Sequence, residues 1–173
     1  MKVEVVPYNP EWQDLFKTEA EQWFNLLNSN VIAIHHIGST AIPNIHAKPI
    51  IDLLIEVKDI HQIDNFNSAI AVKNYHIMGE YGIPDRRFFR KHNNAGIRTH
   101  HIHIFFKDSP QIKRHLAFRD YMITHSEDAH KYSQLKQELA LKYPEDIESY
   151  MDGKDQFIQD IDKIAATGKS YEL

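Results

Sequence analysis

Asp52 stands alone among apolar neighbours in the run Ile50-Ile51-Asp52-Leu53-Leu54-Ile55. A carboxylate in a segment patterned for burial costs several kcal/mol unless it is paired or binds a cation. Upstream, Gly38-Ser39-Thr40 leaves another apolar run. Glycine there lets backbone N–H groups approach a phosphate closely, and the hydroxyls add donors. Hard oxygen ligands beside such a cradle suit Mg²⁺. Downstream, His101 and His103 share one face of an extended segment by two-residue alternation. Two imidazoles so placed are good ligands for Zn²⁺, Mn²⁺ or Fe²⁺ and poorer ones for Mg²⁺.

The densest basic cluster is Arg86, Arg87, Arg90 and Lys91. Guanidinium forks match phosphate bidentately. Alternation puts Arg86 and Arg90 on one face with Phe88 between them, and Arg87 with Phe89 on the other. Lys48, just ahead of the acid run, adds a point charge. His115 and Arg119, one helical turn apart, can face one cleft. Each pattern also has a plainer reading: a strand-end turn, the wet face of a hairpin, or a charged edge that resists aggregation.

The elements that must position these residues follow from periodicity. Asn9-Pro10-Glu11 is a helix start, and Trp12, Leu15, Phe16, Trp23, Leu26 and Leu27 form one stripe, predicting a helix to Leu27 or Asn28. Strands are expected at 31–37, 50–57 and 75–78, with a helix from Asp59 to Val72 or Lys73. Gly79 to Asp85 reads as a loop. Residues 86–91 and 97–106 read as two strands joined by Asn93-Asn94-Ala95-Gly96. Three helices close the chain: one from Ser109-Pro110 to Thr124, one ending before Pro144, and one from Asp155 to Ala166 terminated by Gly168. The order predicts an α+β fold with a mixed sheet and a helical C-terminal third.

Length predicts a single domain over residues 1–173. A net charge of -4 and a pI near 6.3 argue against nonspecific adhesion to nucleic acid. No apolar run is long enough for a signal peptide or a membrane span, and cysteine is absent, so a cytoplasmic protein without a membrane partner is expected.

Gly38-Ser39 followed by Asp52 in an apolar strand is similar to the signature of the nucleotidyltransferase superfamily that includes DNA polymerase β. The segments 8–12, His36-Ile37-Gly38-Ser39-Thr40, Lys48-Pro49-Ile50-Ile51-Asp52, Arg86-Arg87-Phe88-Phe89-Arg90, His101-Ile102-His103, 115–121 and Tyr143 resemble the bacterial GrpB family, usually assigned to that superfamily. The resemblance implies a nucleotidyltransferase-like fold binding a nucleotide or other phosphorylated small molecule with a divalent metal (Mg, Mn or Zn). It implies Gly38, Ser39 and Thr40 at phosphate, with Lys48, Arg86, Arg87, Arg90, His115 and Arg119 in support. A further strand acid of the superfamily has its counterpart on the strand of His101 and His103. Asp52, His101 and His103 then form the metal set and the catalytic residues, and the implied reaction is nucleotidyl transfer.

The superfamily's second strand acid, two residues after the first, is Leu54 here, and Glu56 lies about 13 Å further along a strand. A non-catalytic nucleotide-binding module and a metal-dependent phosphohydrolase using the histidine pair are the alternative readings. Phe105 stands where a third alternating histidine would be.

Overall fold

A computed structural model describes residues 2–167. The chain gathers into two compact units, one of residues 11–37 and 50–112, the other of residues 2–10, 38–49 and 113–167.

The first unit is a five-stranded sheet with helices. Its strands are β1 (Val31–Ile37), β2 (Ile51–Val57), β3 (Tyr75–Gly79), β4 (Arg87–His92) and β5 (Arg98–Phe106), in the order β1-β2-β5-β4-β3. β1 and β2 are antiparallel, β2 and β5 parallel, and β5–β4–β3 antiparallel, so the sheet is mixed as expected. The β4–β5 hairpin turns where the asparagines and glycine predict. Asn93 N–H donates to the Ile97 carbonyl, the Asn93 side chain accepts from the amides of Ala95 and Ile97, and Gly96 takes a φ of 78°.

Helix α1 (Glu11–Leu27) lies against one sheet face. Trp23 meets Tyr75 edge-on and tilts on Phe89, while its indole N–H donates to the Tyr75 hydroxyl; Phe16 stacks on His36. Glu19 occupies a buried position of the same stripe and pairs with Lys91 at 3.1 Å and His100 at 3.6 Å. Alternation therefore sends the side chains of Asp52, His101, His103, Phe88 and Arg90 to the opposite face.

The segment after Asp59 departs from the expected single helix. The Asp59 carboxylate does accept from the His61 amide. A 3₁₀ segment, His61–Phe66, nevertheless comes first, and only Asn67–Ala71 is α-helical (α2).

The second unit contains most of α3 (Pro110–Thr124) together with α4 (Ser126–Lys142) and α5 (Ile147–Ala166). Ile42, Ile45, Met122, Ala129, Tyr132 and Ile161 form one cluster of its core, and Val3, Leu139 and Tyr150 another. The N-terminal segment joins it through a bridge between Val6 and Ala47. α5 begins eight residues before the expected start at Asp155. Asp146 caps it by accepting from the Ser149 amide, and Gly153 lies inside the helix rather than ahead of it. A Cβ at Gly153 would meet Leu139 of α4 at 2.5 Å, so this glycine serves close helix packing. The expected stop at Gly168 lies outside the described residues.

Candidate functional site

Register brings the chemistry together. Asp52 is the Cα partner of His101 in the parallel β2–β5 pair, and Arg90 and Phe88 oppose His101 and His103 across β5–β4. Oδ1 of Asp52 lies 3.3 Å from Nε2 of His103 and 3.4 Å from Nδ1 of His101. The three side chains are 22%, 14% and 18% exposed, so they form a recess rather than a surface cluster. Burial alone would raise the Asp52 pKa. The two imidazoles beside it outweigh burial through hydrogen bonds and charge, holding the carboxyl well below the usual carboxylate range.

The tautomers follow from the partners. Nη1 of Arg86 is 3.2 Å from Nδ1 of His103. A guanidinium only donates, so Nδ1 accepts, and the His103 proton sits on Nε2, facing Asp52. Burial pushes the His103 pKa down, consistent with this neutral form. His101 presents Nδ1 to the carboxylate. Its Nε2 is buried and has no hydrogen-bond partner. A histidine oriented by a carboxylate through one nitrogen, with a bare lone pair on the other, is the arrangement seen at many metal ligands and general bases.

As a cation site the donor set fits in part. An ionised carboxylate and the bare nitrogen of His101 suit a divalent ion. The second imidazole is engaged on both nitrogens, by Asp52 and Arg86. Among the described residues, no three His, Cys, Asp or Glu side chains are grouped to hold an ion. Glu56, on the same strand face, is hydrogen-bonded to His35 of β1. Leu54 is wholly buried.

The arginines divide by role. Arg86 donates to the carbonyls of Glu80 and Tyr81 as well as to His103, and its guanidinium lies 4.6 Å from the Phe88 ring centroid. It ties the Gly79–Asp85 loop to the sheet. Arg87 lies on the other face and makes two bonds to Asp64. Arg90 donates to the Tyr81 hydroxyl and stacks over that ring at 4.6 Å, but its Nε is buried with no hydrogen-bond partner. Tyr81 itself is half-exposed and left-handed at φ 48°, in a loop where Gly79, Gly82 and Asp85 also take positive φ. Periodicity gives no sign of Tyr81 as a site residue; its signal is the strained, glycine-flanked loop at the lip of the sheet.

The other candidates lie in the second unit. Gly38 takes φ 75° and opens a 3₁₀ turn of Ser39, Thr40 and Ala41, in which Ala41 N–H donates to the Gly38 carbonyl. Thr40 is buried. Lys48 lies over the Tyr150 ring. On α3, His115 contacts Arg114 and Arg119 binds its neighbour Asp120. No helix among the described residues is long and apolar enough to cross a membrane.

The chain is 44% identical to YqkA of Bacillus subtilis over 168 residues, which is 97% of this chain and 48% of that protein. A Pseudomonas aeruginosa protein is 36% identical over 91% of this chain and 65% of its own length. The chain thus spans about half of the first relative and less than two thirds of the second. The glutamate-rich protein GrpB of Alkalihalophilus pseudofirmus is 31% identical over 92% of this chain and 94% of its own. The crystal structure of the conserved protein GrpB from Enterococcus faecalis superposes with a TM-score of 0.91 at 41% identity, covering 98% of this chain and 100% of that one. A likeness to the RNA terminal uridylyl transferase Cid1 has a TM-score of 0.41 at 10% identity over 69% of this chain and 39% of that one, too loose to carry an argument. The family model of GrpB protein matches residues 2–163, and the chain belongs to the GrpB family.

Proposed function

We propose that this GrpB-family protein binds a nucleotide or another phosphorylated small molecule together with a divalent cation, on the face that carries Asp52, His101 and His103. The observation that carries the reading is the unpartnered, buried Nε2 of His101 beside an ionised Asp52. A lone pair and a negative charge side by side out of water call for a cation. Such an ion, Mg²⁺, Mn²⁺ or Zn²⁺, would supply electrostatic stabilisation of phosphoryl oxygens and so support nucleotidyl transfer. Arg90, with Tyr81 stacked on it, is the cation of this face placed to meet a phosphate or a base.

Binding without turnover is the second reading, and Leu54 favours it. A wholly buried leucine two residues beyond Asp52 leaves this strand with one carboxylate where two-metal chemistry uses several.

Two measurements test both readings. Equilibrium dialysis with Mn²⁺ or Zn²⁺ should show binding that falls at least about tenfold in His101→Ala. Equal binding by the variant removes the cation from this face. Incubation with each of the four nucleoside triphosphates and Mg²⁺, Mn²⁺ or Zn²⁺ then separates transfer, which releases pyrophosphate, from binding alone, which releases neither pyrophosphate nor phosphate.

A further inference from the structure

Beyond His101, the same sheet face carries hydrogen-bond donors from which nothing in the chain accepts. A row of Cα partners crosses the sheet from Asp52 on β2, through His101 on β5 and Arg90 on β4, to His76 on β3. The next row toward the hairpin pairs His92 with Arg98. Lys91 pairs with His100, so unbroken alternation would place Thr99 opposite His92. The register instead shifts between Lys91 and His92, and this bulge brings Arg98 round to the face of Arg90. His92 packs on His76 at a ring-centroid distance of 4.4 Å, so both belong to that face.

Arg90 donates from Nη2 to the Tyr81 hydroxyl, but its Nε is buried without a hydrogen-bond partner, and so is Nδ1 of His92. Among the described residues, the half-buried Arg98 guanidinium makes no hydrogen bond and no ion pair. The groups whose charge acts on it are Arg90 and the Tyr81 phenol, neither of them a carboxylate. Those acting on His92 are His76, Arg98, Arg90 and His101. Guanidinium groups only donate, and His92 adds a donor in the tautomer that carries its proton on Nδ1. A set of like-charged donors repels a cation and is satisfied by a ligand made of acceptors. A phosphomonoester brings two charges and three free oxygens, which two guanidinium forks match better than they match a single carboxylate. Such a ligand has no closed cavity to enter. Arg90, His92 and Arg98 are partly exposed, His76 is exposed, and Tyr81, whose ring lies over Arg90, is half-exposed.

We infer that Arg90, Arg98 and His92 form a subsite for a phosphomonoester dianion, adjacent to Asp52 and His101 but independent of any cation there. That this phosphoryl group belongs to the ligand of the whole face rests on the reading of Asp52 and His101 given above; the subsite itself needs no metal. The patch is confined to two rows of the sheet, next to a carboxylate, in a chain of net charge -4. That favours a small molecule over a nucleic-acid strand, which needs a basic track.

Isothermal titration of the full chain with phenyl phosphate, in EDTA near pH 7.5, should show binding. Arg98→Gln and Arg90→Gln should each weaken it at least about tenfold, as expected for losing one charge-assisted contact. Arg98→Lys, which keeps the charge and loses the fork, should weaken it less than Arg98→Gln. Lys73→Gln, which removes an exposed lysine of the same unit, should leave it unchanged. Phenyl sulfate, a monoanion of the same shape, should bind at least about tenfold more weakly. Should Arg90→Gln not fold, Arg98→Gln decides, because it breaks no bond within the chain.

Wild-type protein that fails to bind phenyl phosphate overturns the inference. So does equal weakening by Lys73→Gln, which would mean diffuse surface charge, and so does equal binding of phenyl sulfate. A 5′-hydroxyl oligothymidylate that displaces phenyl phosphate also overturns it, and reassigns the face to a strand backbone. Dialysis with Mn²⁺ keeps the two sites apart. Phenyl phosphate binding that survives in His101→Ala while cation binding is lost supports an independent subsite, and loss of both together overturns it. Absent phenyl phosphate binding with Mn²⁺ binding intact sinks this inference alone, and the reverse sinks the cation reading alone.

Discussion

Asp52 and Lys136 meet the same difficulty with opposite sign. The carboxylate is satisfied by two imidazole N–H groups, so it stays ionised in its recess. The amine, buried on α4, lies over the Tyr132 ring with no hydrogen-bond partner, and its pKa falls instead. The sign of the consequence is fixed by proton counts. An unfolded Lys136 holds its proton up to its ordinary value of 10.5, the folded one only up to about 6. Between those values the unfolded chain binds more protons, so the free energy of unfolding rises with pH across that window. The penalty is fully present below about pH 6. One such group contributes at most ~1.4 kcal/mol per pH unit. Urea unfolding of wild type and Lys136→Met between about pH 6 and 9 should therefore give a steeper rise for the wild type. Parallel profiles would mean that the amine is not buried uncharged. The charges that act on it are those of Lys154 and Lys48, both positive, and its ammonium lies over the Tyr132 ring.

At the scale of elements, Gly153 shows how α4 and α5 lock together. Alanine in its place gains about 1 kcal/mol of helix propensity. The added methyl must enter the space of the buried Leu139 side chain, whose Cδ2, Cδ1 and Cγ atoms stand 2.5, 3.0 and 3.3 Å away. Overpacking of that kind costs about 1–3 kcal/mol. Gly153→Ala should thus lower the thermal midpoint by a few degrees, and a rise would show that Leu139 turns aside freely. The same residue marks the limit of what periodicity reveals. Strands β1 to β5 are legible because β-branched runs and turn residues bound them. The start of α5 is not, because a glycine in a helical pattern looks like a breaker until its packing partner is known. The pairing of Asp52 with the two histidines is legible as shared parity, whereas the parallel register that aligns Asp52 with His101 belongs to tertiary structure. Arg86 and Arg87 look alike as a dipeptide, yet one ties a loop and the other binds Asp64. Lys136 leaves no trace in the pattern at all, since a lysine on an amphipathic helix is ordinarily solvated.

On the scale of the molecule, the sheet unit is built around β2 and β5, whose residues Leu53, Leu54, Ile55, Ile102 and Ile104 are wholly buried. Their amides lie in ladders flanked on both sides, so they should exchange hydrogen only through unfolding of the whole unit. The amides of the Gly79–Asp85 loop should exchange orders of magnitude faster, on few and exposed bonds. Hydrogen exchange followed by mass spectrometry checks this, and early exchange in β5 would contradict a cooperative sheet. The placing of β5 between β2 and β4 has a consequence in time. During synthesis, β1 and β2 leave the ribosome as a hairpin, with one edge of β2 unpaired. Asp52 and His103 are 51 residues apart, which at roughly 5–20 residues per second means several seconds of waiting. Throughout that interval the carboxylate has water where it will later have imidazole. The recess is therefore born in one event, the insertion of the last strand, and a nascent chain stalled short of Phe106 carries an open-edged hairpin that invites the wrong neighbour.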